Sequence, residues 1–277
     1  MILGISSFTY GWAVGVPGNA PSIRLTAMDL VNKAIALNIT CLQIGDNLPL
    51  HALDEYQREA LRSLVVENNI RLEIGARTLT EGNLFSYISV ARFFGSSFLR
   101  FVVDGDDYEP TIDTIIHVIR EATPELTNAG ITLGIENHDR FKAKELAEIM
   151  EKISDPHVGI CLDCVNSLGA GEGLDYVTSI LSPYTVNLHI KDFVISRLSH
   201  NMGFTVNGTP TGRGMIDVPG LLQALKPFDR CQSAVLEQWV PPEKTIEETI
   251  GKEEKWAFES LKYLQQLPYF HHTDLRI

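Results

Sequence analysis

Eight short β-rich runs, each followed by a stretch with helical periodicity, dominate this sequence and leave little choice of architecture. The runs are Ile2–Ser7, Thr40–Ile44, Arg71–Gly75, Phe98–Val103, Ile131–Glu136, Val158–Asp163, Thr185–Ile190 and Ser233–Glu237. Between them apolar residues recur every three or four positions, as in Leu30, Val31, Ala34 and Ile35, or Ile112, Ile115, Ile116 and Ile119. Alternating strands and helices predict a parallel sheet with right-handed crossovers, and eight such units favour closure over an open sheet. The expectation is an α/β chain folded as one (β/α)₈ barrel over residues 1–277, a length close to the ~250 residues usual for that architecture.

Alternation within the runs sorts lumen from helix layer, because successive side chains point to opposite faces. With Ile131, Leu133 and Ile135 facing the helices, Thr132, Gly134 and Glu136 face inward. The same parity turns Gly159, Cys161 and Asp163 inward, then Thr185, Asn187 and His189, then Ser233, Val235 and Glu237. It also turns Glu73 and Arg100 inward. Either charge alone would be costly there, so a buried Glu73–Arg100 pair is expected.

Hydrophobic residues make up 44% and charged residues 21%, a balance that can bury a large core. The formal net charge of −12, without any basic run, opposes a phosphate backbone and excludes nucleic acid as a partner. No apolar stretch nears the ~18 residues needed to cross a bilayer, and Met1 leads directly into the first strand without a leader-like segment. No membrane association and a cytoplasmic location are expected. Cys41, Cys161, Cys164 and Cys231 read as reduced thiols, since a core this size needs no disulfide. Cys161 and Cys164 form a C-x-x-C only on paper, because alternation sends them to opposite faces. Residues 191–218, rich in Gly, Asn, Thr and Pro, form the longest break in the rhythm, and a loop of that length in a compact domain is usually functional. Ile246–Gln266 reads as the last helix, and Tyr269–Ile277 as a tail whose His271 and His272 lie on the surface.

Four consecutive runs end in a metal-competent side chain: Glu136, Asp163, His189 and Glu237, at separations of 27, 26 and 48 residues. These correspond to one β/α unit, another, and one that includes the long loop. Barrel active sites lie at the C-terminal ends of the strands, so the four converge on one point. Alone, each reads equally as a loop cap or ion-pair partner. Together, three carboxylates without a cation would repel one another. Three carboxylates and one imidazole make a hard donor set suited to one divalent ion, Mn²⁺ first, with Mg²⁺, Co²⁺ or Zn²⁺ as alternatives.

Gly134-Ile135-Glu136-Asn137-His138, Cys161-Leu162-Asp163, Asn187-Leu188-His189-Ile190-Lys191-Asp192, Gly212-Arg213-Gly214-Met215-Ile216-Asp217 and Leu236-Glu237 together resemble the xylose-isomerase-like TIM-barrel superfamily, from the first strand to the eighth. That resemblance implies a sugar isomerase or epimerase in which the matching Glu, Asp, His and Glu bind the catalytic metal and the two Glu also move protons. A small carbohydrate substrate and a homodimer are implied as well. The chain departs from many members in one place: Asp163-Cys164-Val165-Asn166 has Asn where a His often stands. Asn cannot titrate or bind metal strongly, which argues against a multinuclear zinc site of the DNA-repair type.

A metal on a carbonyl and its neighbouring hydroxyl would stabilise an enediolate. Glu136 and Glu237 are then candidates for proton transfer, with Lys191 as proton donor, oxyanion holder or partner of a lumen carboxylate. Asn137, His138 and Asn166 stand where substrate hydroxyls would bind, or where a metal ligand would need support. Arg213 is placed to clamp an anion, or is simply solvated. Ser7, Phe8, Tyr10 and Trp12 follow the first strand as a rim that packs on sugar C–H faces, or as a lid. The absent His and the cations Lys191 and Arg213 keep a lyase open as an alternative, decarboxylating an oxo sugar acid of the 3-oxo-isoapionate type. A barrel that binds sugar without catalysis is the reading from another class.

Overall fold

The computed structural model describes residues 1–270; His271 and His272 lie outside the described residues. Eight parallel strands close into a barrel: β1 (Ile2–Ser6), β2 (Cys41–Ile44), β3 (Arg71–Arg77), β4 (Phe98–Val102), β5 (Thr132–Glu136), β6 (Val158–Asp163), β7 (Thr185–Ile190) and, after a two-stranded excursion, β10 (Ser233–Leu236), which pairs with both β7 and β1. The helical segments are α1 (Gly11–Val14), α2 (Ala27–Ala36), α3 (Glu55–Glu67), α4 (Glu81–Phe94), α5 (Ile112–Ala129), α6 (Ala143–Ile153), α7 (Leu174–Leu181), α8 (Val218–Leu225) and α9 (Ile246–Leu264). Thr26 and Asp29, Asp54 and Gln57, and Thr245 and Glu248 form reciprocal caps that fix where α2, α3 and α9 begin. Gly95 and Gly130 end α4 and α5 in the left-handed conformation. Among the described residues no helix is long and apolar enough to cross a membrane, and all four cysteines are free.

The core lies between sheet and helices, where Ile5, Leu42, Ile74, Leu99, Leu133, Ile160, Leu188 and Leu236 meet apolar faces such as Leu30, Leu61, Ile115 and Leu146. The lumen holds the opposite set. In a lower layer the buried Glu73 accepts from Ser233 Oγ at 2.5 Å, Asn187 Nδ2 at 3.1 Å and Gln43 Nε2 at 3.2 Å, with Arg71 Nε 3.2 Å away. The expected Glu73–Arg100 pair does not form. Both residues point inward, but the register sets Arg100 beside Gly75 and Gly134, one layer nearer the mouth than Glu73. There Arg100 reaches Glu136 and, at 2.6 Å, Asp46. Glycine is required at position 75, since a Cβ would lie 2.9 Å from the Gly45 Cα.

The long segment after β7 is not irregular throughout. It holds an antiparallel hairpin, β8 (Phe193–Arg197) and β9 (Phe204–Gly208). At its root the buried Asp192 accepts from the backbone N–H groups of Phe193, Gly212, Gly214 and Ile216 at 2.8–3.1 Å. One carboxylate thereby closes the base of the whole excursion.

Candidate metal centre

His189 is fully buried, and its two ring nitrogens have different surroundings. Nε2 lies 2.7 Å from Gln43 Oε1, an acceptor, so Nε2 carries the proton. In the neutral ring, the form that binds a metal, Nδ1 keeps its lone pair, and it has no hydrogen-bond partner. Around Nδ1 stand Glu237 Oε1 at 3.5 Å, Glu136 Oε1 at 3.7 Å and Asp163 Oδ2 at 3.7 Å. A lone pair facing three carboxylate oxygens is repelled by each of them. These separations are too long for hydrogen bonds, yet two metal–ligand bonds of about 2.1 Å meeting at about 120° put their ends about 3.6 Å apart. The residues present therefore fit one divalent cation held by Glu136, Asp163, His189 and Glu237, with Asp163, His189 and Glu237 already grouped tightly enough to share it.

Each ligand candidate is aimed by a neighbour. Asp163 Oδ1 accepts from the N–H groups of Val165 and Asn166, both at 2.9 Å, which turns Oδ2 to the centre. Asn137 braces the same turn, accepting from the Asp163 N–H at 2.6 Å and donating to the Asp163 carbonyl and Ser167 Oγ at 2.9 Å. Glu136 accepts from Asn166 Nδ2 at 2.8 Å and pairs with Arg100. Glu237 lies one residue beyond β10; its N–H extends the ladder to the Ile190 carbonyl at 2.9 Å and its carboxylate accepts from Ser6 Oγ at 2.9 Å. The buried Lys191 ammonium bridges Asp163 at 2.7 Å and Glu237 at 3.0 Å.

Burial raises the Glu136 carboxyl, but Arg100, with Lys191 adding to it, outweighs burial and holds the group well below the usual carboxylate range. Asp163 is likewise opposed by burial and held at about 2, chiefly by the Lys191 ammonium. Burial disfavours the Lys191 ammonium, yet Asp163 and Glu237 keep it charged, with its pKa above the usual lysine value. Above the centre opens a cavity of about 460 Å³ bordered by Phe8, Arg77, Arg100, His138, Asn166, Lys191 and Trp239. A larger groove of about 930 Å³ between α7 and α8 is walled by Leu174, Met215, Leu221 and Phe228 and borders none of the four ligand candidates.

The family model of the xylose isomerase-like TIM barrel matches residues 26–267. The chain belongs to that family. It is 31% identical over 264 residues to a 3-oxo-isoapionate decarboxylase of Pectobacterium atrosepticum, covering 95% of each chain. Its fold is similar to that of a D-psicose 3-epimerase from Clostridium cellulolyticum H10 solved with D-tagatose, with TM-score 0.71, 14% identity and coverage of 96% of this chain and 98% of that one. A xylose isomerase-like protein from Mycobacterium smegmatis solved with magnesium is also similar, at TM-score 0.68, 13% identity and coverage of 94% and 97%.

Within this xylose isomerase-like barrel, Glu136, Asp163, His189, Glu237, Lys191 and Asn166 come together, and His138 reaches the same mouth with Nδ1 2.5 Å from Asp139. Three residues expected there are elsewhere. Arg213 is exposed and pairs with Glu259 on α9 at 3.2 Å, because Asp192 ties Gly212 and Gly214 down and turns the intervening side chain outward. Trp12 spends its indole N–H on the Val240 carbonyl at 2.9 Å, and Tyr10 is buried in the core. Of the expected aromatic rim Phe8 does line the mouth, where Trp239 joins it. Sequence reasoning missed Trp239, although it follows Glu237 by two residues on the same parity. It also missed Arg77, the next inward position after Glu73 and Gly75, because the third run was ended too early.

Proposed function

We propose that this chain is a metal-dependent lyase that releases CO₂ from a small oxo sugar acid. The observation that carries the reading is that both glutamates are already engaged: Glu136 by Arg100 and Asn166, Glu237 by Lys191 and Ser6. An epimerase takes a proton from carbon with such a carboxylate, and Glu136, held low by the buried Arg100, is a weak base. Decarboxylation breaks a C–C bond and removes no carbon-bound proton. The similarity to the 3-oxo-isoapionate decarboxylase over 95% of the chain supports the same reading.

Glu136, Asp163, His189 and Glu237 would hold the divalent ion, Mn²⁺ by the hardness of the donor set, which supplies a Lewis acid for the substrate carbonyl. The chain's own residues do the rest. As the bond to the carboxylate breaks, its electron pair passes into the adjacent carbonyl and CO₂ leaves. The Lys191 ammonium then returns one proton to carbon and is recharged from solvent. Arg100 keeps Glu136 ionised and oriented, and Phe8 and Trp239 supply apolar walls to the mouth. Incubating the Mn²⁺-loaded protein with oxo sugar acids and ketoses in D₂O tests this. CO₂ release with one deuterium incorporated per turnover is expected; deuterium entering a ketose without CO₂ would favour epimerisation instead.

A further inference from the structure

A second cavity, of about 660 Å³, adjoins the mouth and shares Phe8, Asp46 and Arg77 with it; its far wall is the loop of residues 15–24, ending in Arg24. The charges bordering the two cavities are unequally matched. Under the proposed function the metal ion and Lys191 together balance Glu136, Asp163 and Glu237. Arg100 takes Asp46 at 2.6 Å, and Asp139 is engaged by His138 and open to solvent. Arg77 is left with a single distant contact, its Nε 3.9 Å from Asp46, and among the described residues neither Arg77 nor Arg24 donates a side-chain hydrogen bond to any protein acceptor.

We propose that Arg77, with Arg24 across the cavity, is the subsite that captures the carboxylate of the substrate. A guanidinium offers two parallel N–H donors that match a carboxylate. Arg77 ends β3 on the lumen face, half-exposed, so it can meet a ligand without being desolvated first. Its Asn83-bound carbonyl, at 2.7 Å, fixes the backbone beneath it. The inference rests on the lyase reading for the nature of the substrate. Because charge leaves the carboxylate as CO₂ forms, this contact serves binding and not the bond-breaking step, so Arg77 sets KM more than kcat.

Calorimetric titration of the Mn²⁺-loaded protein with L-threonate and with threitol, which match in length but differ in charge, tests the subsite without turnover. Threonate is expected to bind at least about tenfold more tightly, the scale of one hydrogen bond between charged groups. Arg77→Met should abolish that preference, while Arg77→Lys should keep part of it and confirm that the fold survives the change. An unchanged preference in both variants would overturn the subsite, as would equal binding of the two probes by the parent protein. Tighter, Arg77-dependent binding of erythritol 4-phosphate than of threonate would overturn the assignment to a carboxylate. Absence of CO₂ release alongside an Arg77-dependent preference would fault the lyase reading and leave the subsite standing.

Discussion

Nδ1 of His189 stands 3.5 Å from Oε1 of Glu237 with no hydrogen bond between them. With the ring neutral, two buried acceptors face each other across a gap that a shared cation would fill. Protein purified without chelator should therefore carry about one equivalent of a divalent metal by emission spectroscopy. Stripping it should lower Tm by several degrees, as loss of any ligand specific to the folded state does. A Tm indifferent to both chelation and Mn²⁺ would remove the metal from this site.

Lys191 bridges Asp163 and Glu237 while contributing no metal-binding atom. Lys191→Met should leave metal content unchanged or raised, because it removes a competing cation, while turnover falls by about 10²-fold or more. Glu237→Gln should lose both activity, to a similar extent, and metal affinity. If the two variants prove indistinguishable in metal content, the separate roles assigned to them are wrong.

Asn166 donates to Glu136 Oε1 at 2.8 Å and lies 3.5 Å from Lys191. Replacing it by His keeps a donor near Glu136 but adds bulk and a titrating ring to the cavity. Asn166→His should shift preference among substrates without altering metal stoichiometry. A changed stoichiometry would show that position 166 belongs to the metal's own coordination.

Glu253 on α9 is buried and accepts from the N–H groups of Trp12 and Ala13 at 2.9 and 3.1 Å. Burial pushes its carboxyl up to about 7, despite those two donors, with Glu254 adding to the rise. Between the unfolded value near 4.5 and this one the folded chain holds a proton that the unfolded chain has released. Stability from this group is thus present below the unfolded value and lost as pH rises towards 7. Glu253→Gln, which cannot release a proton, should gain in Tm on the parent between pH 5 and 8; a constant Tm difference over that range would contradict it.

The barrel was legible because its evidence is periodic: Val158–Asp163 and Thr185–Ile190 appear as strands with the bounds read from the sequence. Inward parity likewise brought Glu136, Asp163, His189 and Lys191 to one place. Parity alone carries no register. It assigned Glu73 and Arg100 the same direction but could not show that strand stagger puts them in different layers, so the predicted pair failed. Loops obey neither rule. The outward turn of Arg213 is decided by Asp192, which reaches 22 residues ahead to Gly214, and the β8–β9 hairpin is too short and too exposed to outweigh the glycines and polar residues around it.

Anchoring of that excursion by Asp192 isolates it mechanically from the reaction. Lys191 and the clasping aspartate are neighbours on the barrel rim, and Phe193 and Gly208 stay buried at the root, whereas the exposed hairpin between them, residues 194–207, extends beyond it. Length and sequence in that appendage are free to drift, or to be exchanged by design, without transmitting displacement to the ammonium group one residue away.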